Sequence, residues 1–159
     1  MTVVKGNDLR ELSADDVYSE PQVLNGLGFE LHPQSVKIFK PTGAPVYFYD
    51  VFTDGPDRVG IASLVLEMDA LQVADVGHAC ANLSESQTDP DLLSRIADRL
   101  ISHGLESGLR TVRVVVPAGD EKSIQACLAQ GNICAQECLE SDGKQFVWFD
   151  YSNSSQQDE

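Results

Sequence analysis

HACANLSESQTDPDLLSRIADRLISHGLESGLRTVRVVV, residues 78–116, is the stretch on which the reading of this chain turns. Leu92, Leu93, Ile96, Ala97, Leu100 and Ile101 recur at spacings of three and four, which predicts a helix from Pro90 with one apolar face and with Arg95, Asp98 and Arg99 opposite. Such a helix lies against a sheet. Strands are expected on both sides of it, QVADVGHACANL (72–83) before and TVRVVV (111–116) after. Alternation along the first strand puts His78, Cys80 and Asn82 on one face and Ala79, Ala81 and Leu83 on the other. The helix opens on Asp89, Pro90 and Asp91. Its first backbone N–H groups lack partners and its dipole adds partial positive charge, so the place attracts an anion; Asp89 as N-cap and Asp91 in the first turn are expected to fill it from within.

Outward from that unit the pattern changes on each side. DLREL (8–12) reads as a short strand, and SADDVYS from Ser13, with Asp16 three residues on, reads as a helix start. Pro21 interrupts it, and the stretch to Pro33, with Gly26 and Gly28, reads as helix remnants and loop. From Ser35 an antiparallel meander is expected: VKIF (36–39), VYFYDVF (46–52) and RVGIASLVLEM (58–68), separated by the turns KPTGAP (40–45) and TDGPD (53–57). Downstream, DEKSIQACLAQ (120–130) reads as a helix stopped by Gly131, and ICAQECL (133–139) pairs with KQFVWFDY (144–151) across ESDG. SNSSQQDE (152–159) reads as a disordered polar tail, which leaves residues 1–151 as a single domain. The class is α+β, a mostly antiparallel twisted sheet of about six to seven strands flanked by helices.

Composition narrows the partners. A formal net charge of −14 over 159 residues argues against nucleic acid or an anionic membrane, since both require basic surface. No apolar run approaches the roughly 20 residues of a membrane span. The opening MTVVKGNDLREL lacks the basic and apolar regions of a secretory signal, so a cytoplasmic location is expected. Cys80, Cys127, Cys134 and Cys138 form no Cys-x-x-Cys pair and read as reduced, buried thiols. His78 with Cys134 and Cys138 is the one sharper alternative, a zinc set, but the cysteines would lie on a strand rather than a knuckle, and no metal is expected.

The order of elements resembles the GNAT acetyltransferase superfamily over most of the chain. LRELSADD (9–16) is similar to that family's opening, residues 78–116 to its strand, cofactor loop, long helix and strand, and DEKSIQACLAQGN (120–132) to its next helix and turn. The resemblance implies an acyl-CoA site where the fourth strand splays from the fifth, near Ala81 to Leu83. It also implies a Gln or Arg followed by small residues at the pyrophosphate. Here Thr88 stands at the Gln/Arg place and Asp89, Asp91 and Leu93 at the small-residue places; no glycine lies between Gly77 and Gly104. Glycine lets the backbone approach phosphate, whereas a carboxylate adds repulsion of order 1 kcal/mol at contact range.

The family's acidic Tyr, which protonates the departing thiolate, is replaced by Cys127, and the helix begins with Asp120. Glu67 and His78 are the candidate bases toward an acceptor amine. His78 sits on an apolar strand and reads equally as a satisfied core histidine, as Cys127 does as a small buried residue. Tyr47, Phe48, Tyr49 and Phe52 offer an acceptor wall or ordinary cross-strand packing. Two functions are therefore expected to compete. One is a GNAT-like protein with weakened or lost acetyl-CoA binding that serves a protein partner or regulatory ligand. The other is an N-acetyltransferase acting on a small or protein amine through an atypical loop. The closing hairpin offers an edge for a homodimer.

Overall fold

The structure, a computed structural model, describes residue 1, residues 6–66 and residues 77–153. Within these, nine strands and two helices make an α+β fold: β1 (Leu9–Arg10), β2 (Leu24–Gly26), β3 (Phe29–Phe39), β4 (Ala44–Phe52), β5 (Arg58–Val65), β6 (Ala79–Leu83), α1 (Leu92–Glu106), β7 (Val112–Pro117), α2 (Glu121–Leu128), β8 (Ile133–Ser141) and β9 (Lys144–Tyr151). The strands form two antiparallel sheets. One runs β1-β3-β4-β5-β6 with β2 also on β3, and the other runs β7-β9-β8.

The meander forms where the β-branched and aromatic runs predicted it, with Phe39 opposite Ala44, Tyr49 opposite Ala62 and Ala62 opposite Ala81. β3 is longer than VKIF because it runs through Pro33, whose missing N–H is accommodated by a bulge between Pro33 and Ser35. Two expectations upstream fail. Ser13 starts no helix; its amide and hydroxyl donate to Asp16 Oδ2 at 2.7 and 3.2 Å, closing an isolated turn that Arg10 locks through both Asp16 oxygens. Residues 24–31 are a hairpin rather than helix remnants, Leu24 facing Leu31 across a Leu27–Gly28 turn in which Gly28 takes a φ of 81°.

α1 buries Leu92, Ile96, Ala97, Leu100 and Ile101 in the main core, as its periodicity predicted, together with Leu105; Leu93, expected on the same face, is only partly buried and lines the cleft described below. Its polar edge is used as well: Arg95 Nε donates to Leu27 O at 2.9 Å and Arg99 Nε to Asn25 O at 3.0 Å, fastening the β2–β3 hairpin to the helix. The helix begins at Leu92 rather than Pro90, and its N-cap is Asp91 rather than Asp89. α2 has an unambiguous cap, Asp120 accepting from Ser123 N at 3.2 Å and Ser123 Oγ at 2.7 Å, and it ends at Leu128 with Ala129 as C-cap, before Gly131. β8 and β9 turn at Asp142 and Gly143, both at positive φ, the backbone a two-residue hairpin requires.

The start of the expected fourth strand, residues 72–76, lies outside the described residues; so do residues 154–159 of the expected tail. Ser152 belongs to the fold, its amide donating to Asn132 O at 3.1 Å. No helix among the described residues is long and apolar enough to cross a membrane.

Candidate cofactor and ligand cleft

The two sheets touch through β6 and β7, and there they part. At the base of the gap His78 N donates to Arg113 O at 2.7 Å and Arg113 N donates to His78 Nδ1 at 2.9 Å. A main-chain amide thus uses the imidazole as a continuation of the ladder. Gly77 makes the approach possible: it takes a φ of 78°, and a Cβ there would meet Arg113 O at 3.0 Å and Val115 N at 3.2 Å. Below the junction, Arg113 Nε and Nη2 meet Asp150 Oδ1 and Oδ2 at 2.8 and 3.0 Å, with the guanidinium 4.0 Å from the Trp148 ring centre. Both charged side chains are nearly buried.

Beyond this closed base β6 pairs only with β5. Val65 N donates to His78 O and Ser84 N to Val59 O, so the even-numbered residues of β6 serve β5, and the amides of Ala79, Ala81 and Leu83 point into the gap. The result is a cleft of about 790 Å³ walled by the end of β6, the loop to α1, the first turn of α1 and the start of α2. Gln130 holds the two helices together across its back, its Nε2 donating to Ser94 O at 3.0 Å and Ala126 O at 2.9 Å.

All six residues that the family resemblance assigned to a cofactor, Ala81, Leu83, Thr88, Asp89, Asp91 and Leu93, line this one cleft. Their arrangement differs from a self-filled helix start. Asp89 does not sit on the first-turn amides of the helix proper: it accepts from Asp91 N at 3.0 Å and turns its other oxygen to Arg95 Nη2 at 2.9 Å. The Arg95 guanidinium and the Asp91 amide hold its carboxyl below the ordinary range. Asp91, the N-cap, makes no side-chain cap, so the first turn of α1 faces the cleft without a carboxylate bonded to it. Glu85, Asp89, Asp91, Asp120 and Glu121 line the walls against Lys122, and their field is negative.

The candidate catalytic residues lie elsewhere. His78 is at the base, 1% exposed, with Nδ1 committed to Arg113 N. Cys127 lies fully buried on the inner face of α2, where burial pushes its thiol up to about 11, and the Tyr151 hydroxyl donates to its carbonyl at 2.8 Å. Glu67 lies outside the described residues. The aromatic wall is divided: Tyr47 and Tyr49 are in the main core, Phe48 packs on the opposite face with Val46 and Val65, and Phe52 meets His32 edge to face. His78 is separated from Cys134 and Cys138, which are exposed on β8 beyond β9. No group of three or more metal-ligating side chains occurs among the described residues.

Three residues that sequence reasoning did not bring together meet beside the cleft. The Met1 ammonium donates to Asn82 Oδ1 at 3.0 Å and Asp120 Oδ2 at 3.4 Å, and Asn82 Nδ2 donates to Met1 O at 3.3 Å. The Ala81 amide donates to Met1 Sδ at 3.3 Å. Burial alone would raise the Asp120 carboxyl, but the Ser123 hydroxyl and amide and the Met1 ammonium outweigh it and leave it below the usual range. The Asp-x-x-Ser spacing announced the α2 cap; nothing in the sequence announced Met1.

A sheet opened between two strands, with a helix start and a second helix closing the gap, defines a GNAT-like fold. A solved structure described as "Putative GnaT-family acetyltransferase from Bordetella pertussis" is similar to this chain, with a TM-score of 0.61 and 13% identity, covering 83% of this chain and 100% of that one. At that identity the likeness is one of fold. No protein-family model matches the chain, and no curated protein matches it.

Proposed function

We propose that this chain is a GNAT-fold protein whose cleft binds acetyl-CoA weakly or not at all and serves a non-catalytic, regulatory or partner-binding role. The observation that carries this reading is the charge of the cleft wall, five carboxylates against one lysine, at the place where the fold would receive a pyrophosphate. Acyl-CoA brings several negative charges to that wall. Each carboxylate at contact range opposes them by about 1 kcal/mol in a water-like medium and by more where water is excluded. Pro90 also contributes no backbone donor to the loop. Calorimetry of the purified chain with acetyl-CoA tests the proposal. A dissociation constant of about 1 mM or weaker is expected; micromolar binding would overturn it.

A second reading, an N-acetyltransferase of unknown amine substrate with an atypical loop, has its own support. The amides of Ala81 and Leu83 point into the gap and the α1 start carries no side-chain cap, which are the donors an acyl-CoA would use. Turnover of acetyl-CoA to free CoA with an added amine panel would favour this reading.

A further inference from the structure

β8 is the outer strand of the second sheet, and no strand among the described residues pairs with its far side. What that side presents follows from β9. Gln145 O accepts from Ala118 N, just past the end of β7, so the odd-numbered residues of β9 turn to β7 and the even-numbered ones to β8. There Phe146, Trp148 and Asp150 stand opposite Leu139, Glu137 and Ala135. Gln136, Cys138 and Glu140 therefore offer their amides and carbonyls to the open side.

Edges of this kind are ordinarily blunted by lysine, by proline or by shortness. β8 is nine residues long and contains neither lysine nor proline. Its one irregularity is the bulge between Ile133 and Ala135, which leaves Cys134 without an opposite residue on β9. Cys134 and Cys138 are both exposed, whereas Cys80 and Cys127 are buried. A free thiol packs as a small apolar group and is among the side chains most often buried. Two of them in the open on one bare edge point to a surface that is covered in the assembled protein.

The order of residues along the edge says what covers it. Residues 133–139 read ICAQECL, nearly the same in both directions about Gln136: Ile133 matches Leu139, Cys134 matches Cys138, and the small Ala135 stands opposite Glu137. We propose that β8 pairs antiparallel with β8 of a second copy of this chain about a two-fold axis at Gln136, joining two three-stranded sheets into one. A two-fold contact brings residue i onto j and j onto i, so a palindromic edge is its own complement. Charge supports the register. An axis at Glu137 would set two carboxylates directly opposite, and an axis at Cys138 would carry Cys134 past the strand to Asp142 in the turn. With the axis at Gln136, Glu137 faces an alanine, and Cys134 of each copy faces Cys138 of the other with Cα atoms about 5.5 Å apart, within reach of a disulfide.

Sedimentation equilibrium of the reduced chain at physiological ionic strength, which screens the net charge of −14 that each copy carries, is expected to show a dimer at micromolar concentrations. Gln136 is exposed, so its substitution leaves the fold intact, which circular dichroism checks. Gln136→Glu and Gln136→Lys each set like charges across the axis and should weaken the dimer at least tenfold. Mixed in equal amounts they set a carboxylate against an ammonium, and a heterodimer should return. Thiol oxidation reads the register separately. Diamide takes two protons and two electrons from each thiol pair, is reduced to its hydrazine, and should link the parent dimer covalently. Cys134→Ser and Cys138→Ser should each abolish the link, since each leaves a serine opposite every remaining thiol, and a mixture of the two variants should restore it.

A parent that stays monomeric at high micromolar concentration overturns the proposal. So does a mixture of the two Gln136 variants that remains monomeric. A parent dimer that both charge variants leave intact places the contact elsewhere and overturns it as well. A link that survives Cys134→Ser and is lost with Cys138→Ser sets the axis at Cys138 and overturns the register.

Discussion

The base and the mouth of the cleft are built on opposite principles although they lie on the same two strands. At the base, His78, Arg113 and Asp150 satisfy one another within the fold, with hydrogen bonds of 2.7–3.0 Å and little exposure. At the mouth, Glu85, Asp91 and Glu121 line open space with one lysine among them, and Asp89 alone has a guanidinium partner. Buried polar groups that are fully paired hold a structure in one arrangement; like charges at a cleft rim add little to stability and decide what may enter. The base therefore keeps the sheets joined, and the mouth sets the charge of the cleft.

The contrast breaks most readily at Arg113. Arg113→Ala strands the nearly buried Asp150 carboxylate, and urea unfolding should show a loss of about 3 kcal/mol or more. Asp89→Asn, which weakens the exposed pair with Arg95 and leaves Arg95 on the Leu27 carbonyl, should leave the midpoint within experimental error. Equal effects from the two would erase the distinction between base and mouth. Next in size is Gly77→Ala, which forces a side chain onto a left-handed residue packed against the β7 backbone; a loss of about 1–3 kcal/mol is expected on the same assay.

Alkali sharpens the comparison in a different way. Burial holds the Cys80 and Cys127 thiols protonated up to about 11. An unfolded cysteine ionises near ~8.5, so between the two values the unfolded chain has lost protons that the folded chain keeps. Stability is then full below pH ~8.5 and falls as pH rises toward 11. Cys80→Ala together with Cys127→Ala should flatten that slope in urea titrations from neutral pH upward, whereas neutralising the mouth should leave it unchanged. The smallest effect concerns the mouth alone. Asp89→Asn with Asp91→Asn should strengthen acetyl-CoA binding about tenfold by calorimetry while the unfolding midpoint barely moves.

What was legible in the chain followed from local burial. α1 was readable because five of its six apolar residues at helical spacing are buried in the core, and β4, β5, β7 and β9 because alternating β-branched and aromatic runs end in Gly or Pro turns. The β2–β3 hairpin was not readable, because Gly26 and Gly28 look like breakers until a two-residue turn between paired strands gives Gly28 its positive φ. The Ser13 motif failed for a related reason: Ser with Asp three residues on closes an isolated turn as readily as it starts a helix, and Arg10 decided which.

The residues around the cleft divide along the same line. Thr88, Asp89, Asp91 and Leu93 could be placed in one site from sequence because a single loop and helix start carry them. Asp120, Asn82 and Met1 could not, since they belong to separate segments with no shared period or spacing.

By itself, then, the sequence determined most of the elements and the acidic character of the helix start, because each depends on neighbours a few residues away; the six positions that line the cleft came from the family resemblance. Only the tertiary structure decided that β6 and β7 part above His78, that Asp89 turns to Arg95 instead of capping the helix, and that Met1 meets Asn82 and Asp120. The first and last of these rest on contacts between residues 35 to 119 positions apart, and the second on Arg95 being held at the Leu27 carbonyl, 68 positions away. No local pattern records such contacts, because they are set by how whole sheets and helices share one core.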